Sequence, residues 1–365
     1  MKKIAFISCH PAPYRDSFIS RCVSILGESI SVYSQYPCDK GHSFGETKNS
    51  QYVSETLNPD GRSSVRLLVG VLRKFVFGDY ALVIWPGFMD WYIVFAMFVS
   101  ALFGTKYGFS ADTVKQRPIG LVSHALKKFV VRHASIILVP GQKSKHFFAS
   151  EYGVPDDKIF LGCYSLDGVE IERKVSALRE VKRINNETVT FLMVANMIPT
   201  RHYPVTCRGF AKFAKRHKDV RFIVVGNGPE SDKIKEFAND HPSVEVHDGC
   251  TFDEMLRLYA IADVYVHGGT EPASTALVIG AIAHLPIISS KGVGCSADVL
   301  RDGINGFEVA DYMDEDLWAE GFDKMYANRD KWGMFGEESR RFSRQLDVDN
   351  TANLFANKML DLANG

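Results

Sequence analysis

The sequence predicts an α/β protein of two doubly wound, Rossmann-like domains, and three observations carry that expectation. At 365 residues the chain exceeds what one hydrophobic core ordinarily supports. Short apolar runs of strand composition alternate with helix-length segments throughout, the pattern of a parallel sheet covered by helices on both faces. The alternation stops at a polar stretch, "GVEIERKVSALREVKRINNE" (168–187), which reads as a linker, and then restarts. This divides the chain into a first domain at 1–168, a second at 185–345, and a C-terminal helix at 346–365 that can pack back on the first domain. Two such domains would face each other across a cleft, where open α/β sheets bind ligands at their carboxyl edges.

In the first domain, "KIAFIS", "YALVIW" (Tyr80–Trp85), "KYGFS" (Lys106–Ser110) and "SIILVP" (Ser135–Pro140) read as strands. The uncharged run "WYIVFAMFVSALFGT" (Trp91–Thr105) falls short of the roughly 20 residues a spanning helix needs and reads as a buried helix. In "IGLVSHALKKFVVRHA" (Ile119–Ala134) an apolar stripe of Val122, Ala125, Leu126 and Phe129 is paired with Lys127, Lys128 and Arg132. It reads as a sheet-covering helix with a basic outer face, and such a face is also compatible with peripheral contact with an anionic membrane.

The second series consists of "TVTFLMVAN" (Thr188–Asn196), "VRFIVVGNG" (Val220–Gly228), "VEVHDG" (Val244–Gly249), "DVYVHGG" (Asp263–Gly269) and "LPIISS" (Leu285–Ser290). "TFDE" (Thr251–Glu254) is a capping box that opens a helix. "CRGFAKFAKRHK" sets Phe210, Phe213, Ala214 and His217 on one stripe, which makes His217 a packing or surface residue.

Forty-three basic and 43 acidic residues balance, so the chain has no global field for holding nucleic acid. Its seven cysteines are scattered without metal-ligand spacing, and neither a metal nor a cofactor is expected. Five residues, Ile4–Ser8, are too few for a signal-peptide core, and the start reads as the first strand of a cytoplasmic protein. "DED" (Asp314–Asp316) and "DVD" (Asp347–Asp349) lie in polar C-terminal segments and read as solvated faces.

Chemistry concentrates in "HGGTEPASTALVIGAIAHLPIISS" (His267–Ser290). A helix beginning near Ala273–Thr275 would expose first-turn N–H groups, flanked by the Ser274 and Thr275 hydroxyls, to a phosphate. Glu271, just ahead, could accept hydrogen bonds from a sugar attached to that phosphate. The alternative is that Glu271, Ser274 and Thr275 cap their own helix.

The run "GTEPASTALVIGAIAHLPIISSKGVGCSADVLRDGINGF" resembles the donor-site signature of the retaining glycosyltransferase family four, of GT-B fold. "VVGNGPE", with its Gly226, and "DEMLRLYAIADVYVHGG" are similar to the same family, as is "LVPGQKSKHFFASEYGVPDDKIF" at the end of the first domain. The resemblance implies transfer of a sugar from a nucleotide diphosphate sugar to a glycan or lipid-linked acceptor, with retention, at the inner face of the membrane where the acceptor is a lipid. It implies Glu271 as the residue acting on the donor sugar. Three departures from the pattern involve four residues. Ile279 stands where a second Glu generally holds the ribose, Ser274 replaces the small-loop Gly, and Asn196 and Arg201 stand where an Arg and a Lys meet the pyrophosphate. Arg201 can supply the charge with bidentate geometry, whereas Asn196 donates only neutral hydrogen bonds. Arg15 and Lys291 are candidate phosphate contacts, His10 is a candidate polar contact on the acceptor side, and the resemblance places Asp112 ("FSADT") near the acceptor as a candidate catalytic residue, with a helix cap as the alternative. Two other readings remain open at this stage: a non-catalytic GT-B scaffold whose ribose clamp has eroded, and a GT-B sugar-nucleotide epimerase.

Overall fold

The computed structural model describes residues 2–11, 13–37, 52, 54–88, 90–115, 120–182 and 188–365. The chain divides into two compact units, Met1–Leu166 with Leu346–Gly365, and Asp167–Gln345.

The first unit runs β1 (Lys3–Ser8), α1 (Pro13–Leu26), β2 (Ile30–Ser34), β3 (Ser54–Thr56), α2 (Val65–Val71), β4 (Tyr80–Trp85), α3 (Trp91–Phe103), β5 (Tyr107–Ser110), α4 (Leu121–His133), β6 (Ile136–Val139), α5 (Gln142–Tyr152) and β7 (Ile159–Leu161). A π-helical stretch, Leu72–Val76, extends α2. The strands form one parallel sheet in the order β3-β2-β1-β4-β5-β6-β7. Their apolar side chains are buried on both faces, as parallel pairing requires.

The second unit runs α6 (Gly168–Lys182), β8 (Val189–Val194), α7 (Tyr203–Ala214), β9 (Val220–Val225), α8 (Ser231–Asn239), β10 (Val244–His247), α9 (Phe252–Ile261), β11 (Val264–His267), α10 (Thr275–Ile282), β12 (Ile287–Ser290), α11 (Ser296–Val299), β13 (Gly306–Val309), α12 (Glu315–Ala327) and α13 (Trp332–Ser343). Its sheet is parallel in the order β10-β9-β8-β11-β12-β13, so the strand order reverses between β8 and β11. One face packs through edge-to-face contacts of Phe191, Phe210 and Phe322. The capping box at Thr251 forms: Glu254 Oε2 accepts from Thr251 N at 2.8 Å while Thr251 Oγ accepts from Glu254 N. The last helix, α14 (Val348–Asn364), belongs to the first unit, with Ala352, Phe355, Ala356 and Met359 in the core beside Phe18 of α1.

Two expectations are corrected. The stretch read as a linker is helix over Gly168–Lys182, and 183–187 lie outside the described residues. Ile171 and Val175, one turn apart, are buried, and Glu172 accepts from Arg340 Nε at 2.7 Å and meets His284 Nε2 at 2.9 Å. Glu170 and Arg173 pair on the outer side at 2.8 Å. Two well-placed apolar residues among many charges suffice for an anchored helix. Helix α3 is only half buried: Tyr92, Ala96 and Val99 face the core, but Trp91, Phe95, Leu102 and Phe103 are exposed.

The aspartates of the two D-x-D strings serve local structure. Asp314 caps α12 by accepting from the backbone N–H of Asp316 and Leu317, and Asp349 pairs with Arg21 at 2.9 Å. His217 stacks on Phe213 and Tyr326 and meets Asp323 at 3.1 Å.

Gly226 closes β9 at φ +154°, where a Cβ would collide with the Ala195 carbonyl. Gly226→Ala should therefore cost about 2 kcal/mol and lower the thermal midpoint by roughly 4–8 °C. Gly333→Ala in α13, where a Cβ meets open space, should leave the midpoint unchanged or raise it; differential scanning calorimetry of both variants checks the contrast.

Candidate donor site

In the second unit the strand order reverses between β8 and β11, and the loops that leave their carboxyl ends diverge around a crevice. The β8 loop ends in a tight turn, Pro199–Arg201, and enters α7 through His202 in the left-handed region at φ 53°. The β11 loop carries Gly268 to Ser274. The two are tied together: Thr270 N donates to Thr200 O at 3.0 Å, and Ser290 at the end of β12 donates its hydroxyl to the Gly269 carbonyl. This cross-bracing fixes Arg201 against Glu271.

Their side chains form an ion pair, nearly enclosed by protein. On its other side Glu271 Oε1 lies 2.5 Å from Nε2 of His267, which is fully buried at the end of β11. The Tyr265 hydroxyl lies 3.3 Å from His267 Nδ1. Burial, and then the Arg201 guanidinium, hold the His267 imidazole well below its ordinary pKa, so the ring is neutral. A neutral ring that donates from Nε2 orients the carboxylate without cancelling its charge. The carboxylate also leans over Gly269, where any Cβ would collide with Oε2. Two buried polar atoms here, Arg201 Nε and Glu271 Oε2, have no hydrogen-bond partner in the structure.

Helix α10 begins beside this pair. Ser274 is its N-cap, accepting from Leu277 N at 3.3 Å, while its own N–H donates to Cys295 Sγ at 3.1 Å. Thr275 is the first helical residue. The capping alternative for Ser274 thus holds, while Glu271 engages Arg201 and His267. Ile279 is buried on a helix whose residues Leu277–Ile282 are all buried. Asn196 is half-buried in the turn after β8, and Gly226 closes β9 against the neighbouring Ala195. Lys291 follows β12 with its side chain exposed.

In the first unit Arg15 stands in the first turn of α1, 5.7 Å over the Tyr164 ring, and the Tyr164 hydroxyl donates to Asp112 Oδ2 at 3.2 Å. Tyr164 thereby brings two sequence candidates together. His10 lies in the loop after β1, half-buried. Two residues that sequence reasoning missed, His267 and Cys295, are quoted within the motif, but only the fold shows that they support Glu271 and Ser274. His202 was also missed; its ring stacks on Tyr312 at 4.7 Å, and burial lowers its pKa.

Residues 174–342, nearly all of the second unit, match the family described as glycosyl transferases group 1. Alpha-monoglucosyldiacylglycerol synthase of Acholeplasma laidlawii is 26% identical over 137 residues, 36% of this chain and 34% of that enzyme. A phosphatidylinositol N-acetylglucosaminyltransferase subunit of Saccharomyces cerevisiae is 24% identical over 123 residues, 33% of this chain and 27% of that subunit. The alignments thus span about a third of these relatives or less. Among solved structures, Anabaena HepE in complex with UDP and glucose superposes with a TM-score of 0.72 over 98% of this chain and 99% of that one, at 16% identity. A glycosyltransferase from Rickettsia africae gives 0.74 over 99% and 98%, at 14% identity. The likeness establishes the GT-B fold, with two Rossmann-like domains.

Because the unfolded chain protonates His267 near pH 6.5 and the folded one does not, stability falls as pH drops below about 6.5, by up to about 1.4 kcal/mol per unit. His267→Gln, which keeps a donor at the Nε2 position, should lose this component. Chemical denaturation of both proteins between pH 7.5 and 5.5 should show the wild type declining more steeply.

Proposed function

We propose that the protein is a retaining glycosyltransferase that moves a sugar from a nucleoside diphosphate sugar to a glycan or lipid-linked acceptor. The observation that carries this reading is the pair of buried, unpartnered polar atoms, Arg201 Nε and Glu271 Oε2, beside the N-terminus of α10. Leaving such atoms unsatisfied costs free energy, and a diphosphate and a sugar hydroxyl are groups that would satisfy them. The family of the second unit and the glycolipid-directed relatives support the same donor and acceptor classes.

In this reading the first-turn N–H groups of α10 and Arg201 neutralise the leaving diphosphate, with Asn196 adding a neutral donor and Gly226 letting the Ala195 backbone pack closely beside it. Glu271, oriented by His267, holds the donor sugar for attack. Lys291 is placed to reach a phosphate from the end of β12. Arg15 serves as a phosphate contact, and His10 and Asp112 serve the acceptor, all three from the first unit. Ile279 offers the ribose no carboxylate, so donor affinity is modest. The enzyme needs no metal, since Arg201 and the helix supply the positive charge. It works in the cytoplasm, at the inner membrane face where the acceptor is a lipid. Among the described residues, no helix is long and apolar enough to cross a membrane.

Thermal shift with UDP, GDP and ADP tests the donor class, with stabilisation of roughly 2.7 kcal/mol expected at a hundredfold excess over Kd. Arg201→Ala should abolish most of it. Glu271→Gln should leave the shift nearly intact yet lower sugar transfer tenfold or more. No shift with any nucleotide would refute the donor site; a shift without turnover of the corresponding sugar nucleotides would favour the scaffold, and epimerised free sugar nucleotide the epimerase.

A further inference from the structure

Helix α3 has no charged residue, and its buried side is complete without its outer one. Trp91, Phe95 and Leu102 recur at spacings of four and seven, a single outward stripe, and are 50%, 42% and 59% exposed. Alongside runs α2 with its π-helical extension, adding Val65, Val69 and Phe77. The two are parallel. At their starts Ser63 Oγ donates to Asp90 Oδ1 at 3.2 Å, and at their ends the Phe77 and Phe103 rings meet edge to face at 5.2 Å although both are largely exposed. Seven of the fifteen large apolar side chains exposed among the described residues lie on this one face.

Cations outnumber acids around it: residues 60–79 and 90–106 contain Arg62, Arg66, Arg73, Lys74 and Lys106 against Asp60, Asp79 and Asp90. Lys74 pairs with Glu55 at 2.7 Å and Lys106 donates to the Leu362 carbonyl at 3.0 Å, so Arg62, Arg66 and Arg73 are the cations left exposed at the patch. The acid at the start of α3, Asp90, is held by Gln35 Nε2 and the Tyr36 hydroxyl, each at 2.6 Å, as well as by Ser63.

We propose that the outer face of α2 and α3 is a docking surface for an anionic lipid bilayer. A 13-residue helix spans about 20 Å against a hydrocarbon core of about 30 Å, so α3 would lie in the interface plane rather than cross it. There its aromatic rings enter the headgroup boundary, while Arg66 and Arg73 stay with the lipid phosphates. The surface is distinct from the basic face of α4 read from the sequence. Because vesicle binding is measured without nucleotide or acceptor, the inference stands or falls independently of the sugar-transfer reading.

The test is co-sedimentation of the full chain with vesicles of phosphatidylcholine, with and without phosphatidylglycerol, alongside sedimentation velocity. Binding to the anionic vesicles is expected, weakened by high salt. It should fall at least tenfold in Phe95→Ser/Leu102→Ser and in Arg66→Glu/Arg73→Glu, and stay unchanged in the control Met334→Ser on α13. The substituted side chains are exposed, and unchanged thermal midpoints verify folding. Absence of anionic-vesicle binding, or binding indifferent to both double variants, overturns the proposal. A concentration-dependent dimer that the Phe95→Ser/Leu102→Ser pair dissociates, without vesicle binding, would assign the face to a second copy.

Discussion

A guanidinium and a carboxylate, both largely withdrawn from water, meet where β8 and β11 part, and the second unit is arranged around holding them there. Taking either charge out of water alone would be strongly unfavourable, and their mutual attraction offsets that only when geometry and further hydrogen bonds are good. The supporting contacts come from separate elements: His267 from the end of β11, the Thr200 carbonyl from the β8 loop, Ser290 from β12. The Thr200 and Ser290 contacts join elements that the parallel strand order would otherwise leave to diverge, while His267 braces Glu271 within its own loop. The strand order creates the crevice, and the charge pair makes its mouth rigid.

The charge pair is only partly satisfied. A purely structural pair would have its remaining lone pairs and N–H groups met by neighbours. Here Arg201 Nε and Glu271 Oε2 are not, and His202 Nε2 and Glu230 Oε2, in the loops after β8 and β9, share that condition. Within the second unit, among the described residues, the unsatisfied groups therefore gather on the loops at the carboxyl edge of its sheet, where the first turn of α10 adds backbone donors. Ile279, buried within α10, adds no polar group to this edge, whose polar side chains stand on the loops.

The two sheets and the position of Glu271 were legible in the sequence because parallel strands buried on both faces leave nearly unbroken apolar runs and because a lone acid before an uncharged helix stands out. Strand β2 went unread, the short strands β3 and β7 carry too little pattern in three residues each, and β13 hid behind a glycine-led turn. Helix α6 was misread because its charges outnumber its buried residues, although Ile171 and Val175 at a spacing of four were in plain view. His267 escaped notice for a different reason: a histidine inside a strand run is ordinarily core, and only the turn through Gly268 and Gly269 brings Glu271 back onto its ring. The role of Tyr164 in joining Arg15 to Asp112 depends on tertiary proximity, to which no local pattern gives access.

Helices α3 and α10 present the same sequence signal, an uncharged run apolar on every side, with opposite structural results. In α10 every residue from Leu277 to Ile282 is buried, because α6 and α13 cover the side turned away from the strands. Helix α3 has neighbours in α2 and α4 and in the sheet, but among the described residues nothing lies over its outer stripe. Surface helices normally spend that side on charged residues, which cost nothing in water and guard against association. Keeping Trp91, Phe95 and Leu102 there exposes apolar surface that stabilises nothing within the unit, while the cations are confined to the adjoining α2 and the chain's ends of the patch. An apolar stripe with a basic margin matches a medium that is itself apolar beneath an anionic boundary, and this pattern gives the first unit a physical task separate from the charge chemistry of the second.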